Sequence, residues 1–216
     1  MIDYDNAEAL SFTKDIINAQ GFGTLQAWLL DPNPYKHAQL VFDHFQMDKK
    51  PPSMIYDIGC GTGEMLFQAG ERYHGAYLYG LNRFKSQVSP KTPAVEIHEG
   101  DFESYGGLDH KTFDLIMCNY TLGHFEHPDA AIMKMFSMLN RAGKLCMYDI
   151  CRRSVLYDGI YGYRLHSQSE LNTYMSLFRN WDIWVPQNVT ISPLLEQGVA
   201  HDFMTKTLPV FIIGEK

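Results

Sequence analysis

The rhythm of apolar and polar positions changes close to residue 53. Upstream, Ala9, Phe12, Ile16 and Ala19 recur at the spacing of one helix face. Gly21 and Gly23 break that run, a short apolar piece covers Leu25 to Leu30, and Asp31-Pro32-Asn33-Pro34 forms a turn cluster. A second helical period follows through Tyr35, Ala38, Val41 or Phe42, and Phe45, and Lys49-Lys50-Pro51-Pro52 closes it. This half of the pattern predicts an N-terminal helical cap over residues 1–52, leading into a main unit over residues 53–216.

Downstream, short apolar runs alternate with helical periods. Strands are predicted at Met54–Ile58, Ala76–Leu81, Ala94–His98, Phe113–Cys118 and Lys144–Tyr148, with a sixth inside Trp181–Ile191 and a seventh at Leu208–Ile213. Pro209 has no N–H for a ladder and is expected at a strand start. Between them, Thr62–Tyr73 carries Leu66, Ala69, Gly70 and Tyr73 on one face, and Pro128–Asn140 carries Ala131, Ile132, Met135 and Leu139 behind a proline suited to a first helical turn. Ser167 and Glu170 have the spacing of a capping box before Leu171, Tyr174, Met175 and Phe178. Alternation of this kind predicts an α/β fold whose parallel sheet is covered on both faces.

With 216 residues the chain can bury a substantial core in one domain. Its formal net charge of −7 and the lack of a Lys/Arg cluster argue against a nucleic-acid partner. No apolar run approaches the roughly 20 residues needed to span a bilayer, and the acidic start Met1-Ile2-Asp3-Tyr4-Asp5 lacks the basic region of a signal peptide, so a cytoplasmic location is expected. Cys60, Cys118, Cys146 and Cys151 show no metal-ligand or dithiol spacing and read as buried thiols; no metal is expected. Homo-oligomerisation stays open.

One stretch concentrates the chemistry. Asp57-Ile58-Gly59-Cys60-Gly61-Thr62-Gly63 follows the first strand directly, and its alternate glycines let the backbone turn sharply and approach a ligand without an intervening Cβ. The stretch resembles motif I of the class I S-adenosylmethionine-dependent methyltransferases, in which an acidic-x-Gly-x-Gly-x-Gly loop holds the methionine end of the cofactor. That resemblance implies a Rossmann-like three-layer sandwich, a seven-stranded, mostly parallel sheet with an antiparallel last strand, and S-adenosylmethionine as cofactor with S-adenosylhomocysteine as product. It implies cofactor contacts at Asp57, Gly59, Cys60, Gly61 and Gly63. A dinucleotide-binding loop would have the spacing Gly-x-Gly-x-x-Gly instead.

Ligands of open α/β sheets sit beyond the carboxyl ends of the strands, so the residues after each strand carry the next information. Gly80-Leu81-Asn82-Arg83-Phe84-Lys85-Ser86-Gln87 resembles a stretch of the cyclopropane fatty acid synthases and related C-methyltransferases, which implies ribose contacts from Asn82 and Gln87, where most of the larger family has an acid. Gly100-Asp101-Phe102 resembles the family's Gly-Asp-aromatic motif; the implied roles are an adenine amino contact for Asp101 and packing on the ring for Phe102. After the fourth strand, Asn119 is implied as a backbone carbonyl contact to the cofactor's amino group. Leu139-Asn140-Arg141-Ala142-Gly143 stands where the family has Leu-Lys-Pro-Gly-Gly.

Methyl transfer from a sulfonium is an in-line displacement, so proximity, alignment and water exclusion dominate, and a base is needed only where the acceptor must lose a proton. His124, with Tyr120 and Glu126 nearby, lies where the reacting methyl group would be; an ordinary histidine pKa of about 6.5 suits it to take a proton. His127, directly before Pro128, reads as a helix cap. Phe22, Trp28, Tyr120, Tyr157, Tyr161 and Tyr163 are candidates to line an acceptor pocket, and cation–π attraction there would suit an alkene acceptor. The expectation is a methyltransferase for a small, partly apolar molecule, with carbon methylation ahead of oxygen or nitrogen. A dinucleotide-dependent oxidoreductase and a non-catalytic S-adenosylmethionine-binding protein are the alternatives.

Overall fold

The computed structural model describes Phe42 and residues 50–61, 63–83, 95–160, 163–185 and 206–216. The expected helical cap lies outside the described residues except for Phe42 and residues 50–52. Phe42 is helical and buried, and its ring meets Tyr73 edge to face at 5.4 Å.

The main elements are β1 (Met54–Ile58), α1 (Glu64–Arg72), β2 (Tyr77–Asn82), β3 (Val95–Glu99), β4 (Phe113–Met117), α2 (Pro128–Met138), β5 (Leu139–Arg152), β6 (Gly159–Ile160), β7 (Tyr163–Arg164), α3 (Gln168–Met175), β8 (Asn180–Trp184) and β9 (Thr207–Glu215). Seven strands form one sheet in the order β3-β2-β1-β4-β5-β9-β8. The first five are mutually parallel. β9 is antiparallel to both β5 and β8, so β8 runs with the parallel five and β9 alone is reversed. This is the seven-stranded Rossmann-like sheet with an antiparallel last strand.

Alternation along each strand splits the core in two. Ile55, Leu115, Met117, Cys146 and Tyr148 pack with Leu66 and Ala69 of α1 on one face of the sheet. Tyr56, Ile58, Ile116, Leu145 and Met147 pack on the other with Ala131, Ile132 and Met135 of α2 and Leu171 and Met175 of α3. All four cysteines are buried in these layers as free thiols.

Three boundaries differ from the pattern. α2 stops at Met138, and β5 begins at Leu139 and runs through the turn at Ala142, whose φ of 62° marks the bend. The aromatic loop after β5 contains a short hairpin, β6 with β7, too brief to show a period. Pro209 is the third residue of β9, not the first; it pairs with Ile150 where, among the described residues, β8 reaches no further than Phe211, so its missing N–H need not serve a second neighbour. The capping box is present: Ser167 Oγ accepts from Glu170 N at 3.1 Å, and Ser167 N donates to Glu170 Oε2 at 2.7 Å.

Candidate active site

The strand order reverses between β1 and β4, and a topological switch point of this kind opens a crevice at the carboxyl ends of the two strands. The loop after β1 enters it from one side. Gly59, Gly61 and Gly63 have φ of 72°, 52° and 84°, a left-handed sequence costly for any residue with a Cβ. Gly59 N and Cys60 N both donate to Leu81 O, at 2.8 and 3.1 Å, which ties the turn to the end of β2. A Cβ on Gly59 would lie 2.2 Å from Thr121 Oγ1, whereas one on Gly61 would meet nothing within 4 Å. The first glycine is thus closed against the loop after β4, and the second faces open space among the described residues.

Asp57 is buried at the end of β1, and burial alone pushes its pKa up to about 8. Among the described residues no hydrogen-bond donor reaches its carboxyl group. Burial likewise pushes the neighbouring Cys60 thiol up, aided by Asp57, so it stays a thiol. Asn82, buried at the end of β2, accepts from Gly61 N through Oδ1 at 3.4 Å and so touches the glycine loop directly. Gln87 lies outside the described residues.

After β3, Asp101 receives the Arg83 guanidinium on Oδ2 and accepts from Glu103 N on Oδ1 at 3.1 Å. The carboxylate expected to meet the adenine is therefore half engaged by a cation from the end of β2. Phe102 is buried, its ring 6.4 Å from Tyr56 and 5.8 Å from Phe125, with Lys134 Nζ 4.9 Å from its centroid. That lysine also donates to Phe102 O at 3.0 Å and Tyr105 O at 2.6 Å, holding the loop after β3 on α2.

The loop after β4 is fixed on β5 residue by residue. Asn119 Oδ1 accepts from Tyr148 N at 2.9 Å, and Tyr120 N donates to Tyr148 O at 2.8 Å, so both backbone groups of Tyr148 are used. Held this way, Tyr120 takes a φ of 49°, an unusual conformation for an aromatic residue of the kind that concentrates at functional sites. Its ring is buried against Tyr148 at 5.1 Å. Thr121 Oγ1 donates to Asn119 O at 2.9 Å. A single 3-10 turn, Leu122–His124, then presents His124 at the surface, its ring edge to face with Tyr163 at 4.8 Å. Partial burial and, secondarily, the Arg83 charge hold the His124 pKa below its ordinary value, which favours the neutral ring.

Glu126 and His127 point to solvent, 84% and 72% exposed, with 4.0 Å between Glu126 Oε1 and His127 Nε2. His127 does occupy the N-cap of α2, but its side chain makes no capping bond. The Glu103 carboxylate does that work, accepting from Glu126 N at 2.8 Å and His127 N at 2.6 Å, where a negative charge complements the helix terminus. Of the predicted residues, Asp57, Gly59, Cys60, Gly61, Gly63, Asn82, Asn119, Tyr120 and His124 therefore gather on the two loops of the crevice and the strand ends below them. Asp101 stands at the rim, Phe102 is packed below, and Glu126 faces outward.

Asp149, which is not among the predicted site residues, is also a member of this neighbourhood. It is buried near the end of β5, accepting from Ile150 N at 2.7 Å, Leu122 N at 3.2 Å and Tyr163 Oη at 2.5 Å. Burial raises its pKa to about 6 against the pull of these donors. The signal was available: an acid closing an apolar strand whose carboxyl end faces the site.

Fold and crevice together define the class I S-adenosylmethionine-dependent methyltransferase architecture, a glycine loop and a post-β4 loop meeting at the switch point of a reversed-last-strand sheet. Residues 38–200 match the model of the methyltransferase domain family, and the chain belongs to that family. Among curated proteins it is 28% identical over 148 residues to a phosphoethanolamine N-methyltransferase of Triticum aestivum, and 24% identical over 103 residues to a trans-aconitate 2-methyltransferase of Deinococcus radiodurans. These matches cover 62% and 46% of this chain but only 28% and 38% of the relatives. Among solved structures, the [4+2]-cyclase SpnF superposes with a TM-score of 0.68 at 16% identity, covering 84% of this chain and 80% of that one. The plantazolicin methyltransferase BpumL, in complex with a monoazolic desmethylPZN analogue and SAH, gives 0.62 at 16% identity over 99% and 92%. At such identities these structures establish the fold, and a cyclase among them shows that the architecture hosts more than one chemistry.

Proposed function

We propose that this chain is an S-adenosylmethionine-dependent methyltransferase acting on a small, partly apolar molecule, at an oxygen or nitrogen that loses a proton in the reaction. The observation that carries this reading is the meeting of Gly59 with Thr121: the loop suited to the cofactor and the loop that bears His124 close on each other at the switch point. S-Adenosylmethionine supplies a sulfonium methyl group open to in-line displacement. The chain's own features suit that group. Gly61 leaves its Cβ side open, the buried Asp57 carboxyl has no donor among the described residues and can meet a cationic amino group, and Asn82 and Asp101 offer polar atoms at the next two strand ends. A neutral and partly exposed His124 supports a role for it in accepting the acceptor's proton.

An oxygen or nitrogen acceptor comes before carbon because, among the described residues, two of the aromatics expected to line an alkene pocket are turned inward. Tyr120 and Tyr163 are 5% and 0% exposed, and Tyr157 lies under the Lys206 ammonium at 5.2 Å. Phe22, Trp28 and Tyr161 lie outside the described residues. Two matched relatives are named as methyltransferases of small polar metabolites, which supports a small-molecule acceptor. Among the described residues no helix is long and apolar enough to cross a membrane. The reading is tested by incubating the protein with methyl-labelled S-adenosylmethionine and fractionated metabolites: label should move to a small acceptor at oxygen or nitrogen. Label at carbon would reverse the order of acceptors, and binding without any transfer would favour a non-catalytic role.

A further inference from the structure

We propose that Asp149 and Tyr163 are positioning residues that set the place of His124 in the crevice, an assignment resting on the methyltransferase reading above. Each residue of the turn, the buried Leu122 and Gly123 and the exposed His124, is touched by this pair. Leu122 N donates to Asp149 Oδ2 at 3.2 Å. Gly123 lies so close under the Tyr163 ring that a Cβ there would be 2.5 Å from Cε1, and 2.3 Å from Arg164 O. The His124 ring stands edge to face with Tyr163 at 4.8 Å. The pair is itself joined by the bond from Tyr163 Oη to Asp149 Oδ1. Asp149 belongs to β5 and Tyr163 to β7, so a strand of the main sheet and the small hairpin converge on three consecutive residues.

Leu122 and Gly123 are buried, so the Leu122 N–H needs a partner from the protein; a neutral acceptor could serve, and an uncharged residue at position 149 would bury more cheaply than an acid. A buried carboxylate is instead surrounded by Tyr163 Oη and backbone N–H groups from Ile150, Leu122 and Thr121. Such a network specifies one arrangement at a cost in stability, which is how groups are held to the tolerance that proximity catalysis demands. At its other end the same loop abuts the glycine turn through Thr121. Asp149 and Tyr163 therefore fix the distance between the cofactor loop and the candidate base, without touching either ligand.

The test is the ring resonances of His124 in the full chain, assigned by their loss in His124→Gln, with S-adenosylhomocysteine affinity measured alongside. In the unmodified protein, cross-relaxation should connect the His124 and Tyr163 rings, and the His124 signals should be displaced by the tyrosine ring current. Tyr163→Phe keeps the ring but removes the tether, and Asp149→Asn weakens it from the other side. Both should move the His124 signals toward those of a free histidine with cofactor-product affinity unchanged. Absence of His124–Tyr163 cross-relaxation in the unmodified protein would overturn the inference even if a variant failed to fold. So would unaltered His124 signals in both folded variants. Failure of the unmodified protein to bind S-adenosylhomocysteine would instead count against the cofactor reading, while the ring signals would still decide the packing.

Discussion

The glycine loop after β1 is held mainly through backbone groups, whereas the loop after β4 is held largely through side chains. In the first, three left-handed glycines and two hydrogen bonds to Leu81 O set the turn, with one side-chain acceptor, Asn82 Oδ1, on Gly61 N. In the second, no glycine adopts a positive φ; Tyr120 does so instead, and Tyr148, Asp149 and Tyr163 supply the restraint. The difference suits the proposed division of labour. A cofactor held by its polar groups can be met by backbone with no side chain in the way, while an acceptor and a base must be aligned by side chains that differ from one enzyme to the next.

The sharpest way to separate the two regions is His124→Ala. Turnover should fall by about 100- to 10,000-fold, the span for losing a general base, with S-adenosylmethionine affinity unchanged; a parallel loss of affinity in calorimetry would merge the regions. Next is the contrast between two glycines. Gly59→Ala combines a φ of 72° with a contact of 2.2 Å to Thr121 Oγ1, and should cost about 2 to 4 kcal/mol in urea unfolding from strain and overpacking. Gly61→Ala has a φ of 52° and nothing within 4 Å, so it should cost only about 1 to 2 kcal/mol in stability while its methyl group intrudes on the cofactor. Equal costs would break the claim that Gly59 is closed by the second loop.

These contrasts follow what was legible in the chain. The strand and helix positions, the glycine turn and the capping box depend on local periods and spacings, each readable from a few neighbouring residues, whereas the seven-stranded sheet and its reversed last strand came only with the resemblance that the glycine turn carries. The restraint on His124 depends on partners 27 and 14 positions apart, Leu122 with Asp149 and Asp149 with Tyr163, and no local pattern announces such pairs. Glu103 capping α2 across 24 positions escaped for the same reason, and the cap was expected from the adjacent His127. The Arg83–Asp101 pair joins two strand ends brought together by β2–β3 pairing, so Asp101 was read without its cation.

That ion pair gives a smaller prediction. Asp101→Ala should weaken S-adenosylmethionine binding by about 1 to 3 kcal/mol, as for the loss of a hydrogen-bonding partner. Arg83→Ala should change it by less than about 1 kcal/mol if the exposed pair only orients the carboxylate. Equal losses would make Arg83 a cofactor contact in its own right.

The smallest effect lies in pH. The folded-state pKa of Asp57, about 8, is raised by burial above the unfolded carboxylate value, so the folded protein binds this proton more tightly. Its contribution is present at low pH and is lost as pH rises toward about 8. Asp149, at about 6, adds a loss that is largely complete at lower pH; His166, lowered to about 4, adds a gain of opposite sign that ends by its ordinary value of 6.5. Between about pH 6.5 and 8 the slope assigned to Asp57 should stand out, and Asp57→Asn should flatten it in urea titrations. An unchanged slope would remove Asp57 as its source.

What the glycine loop receives is decided by a calorimetric titration of the purified chain with S-adenosylmethionine, S-adenosylhomocysteine and NADH in turn. The account predicts saturable binding of the first two at one site per chain, weakened by Gly61→Ala, and no binding of NADH. Saturable binding of NADH alone would contradict it.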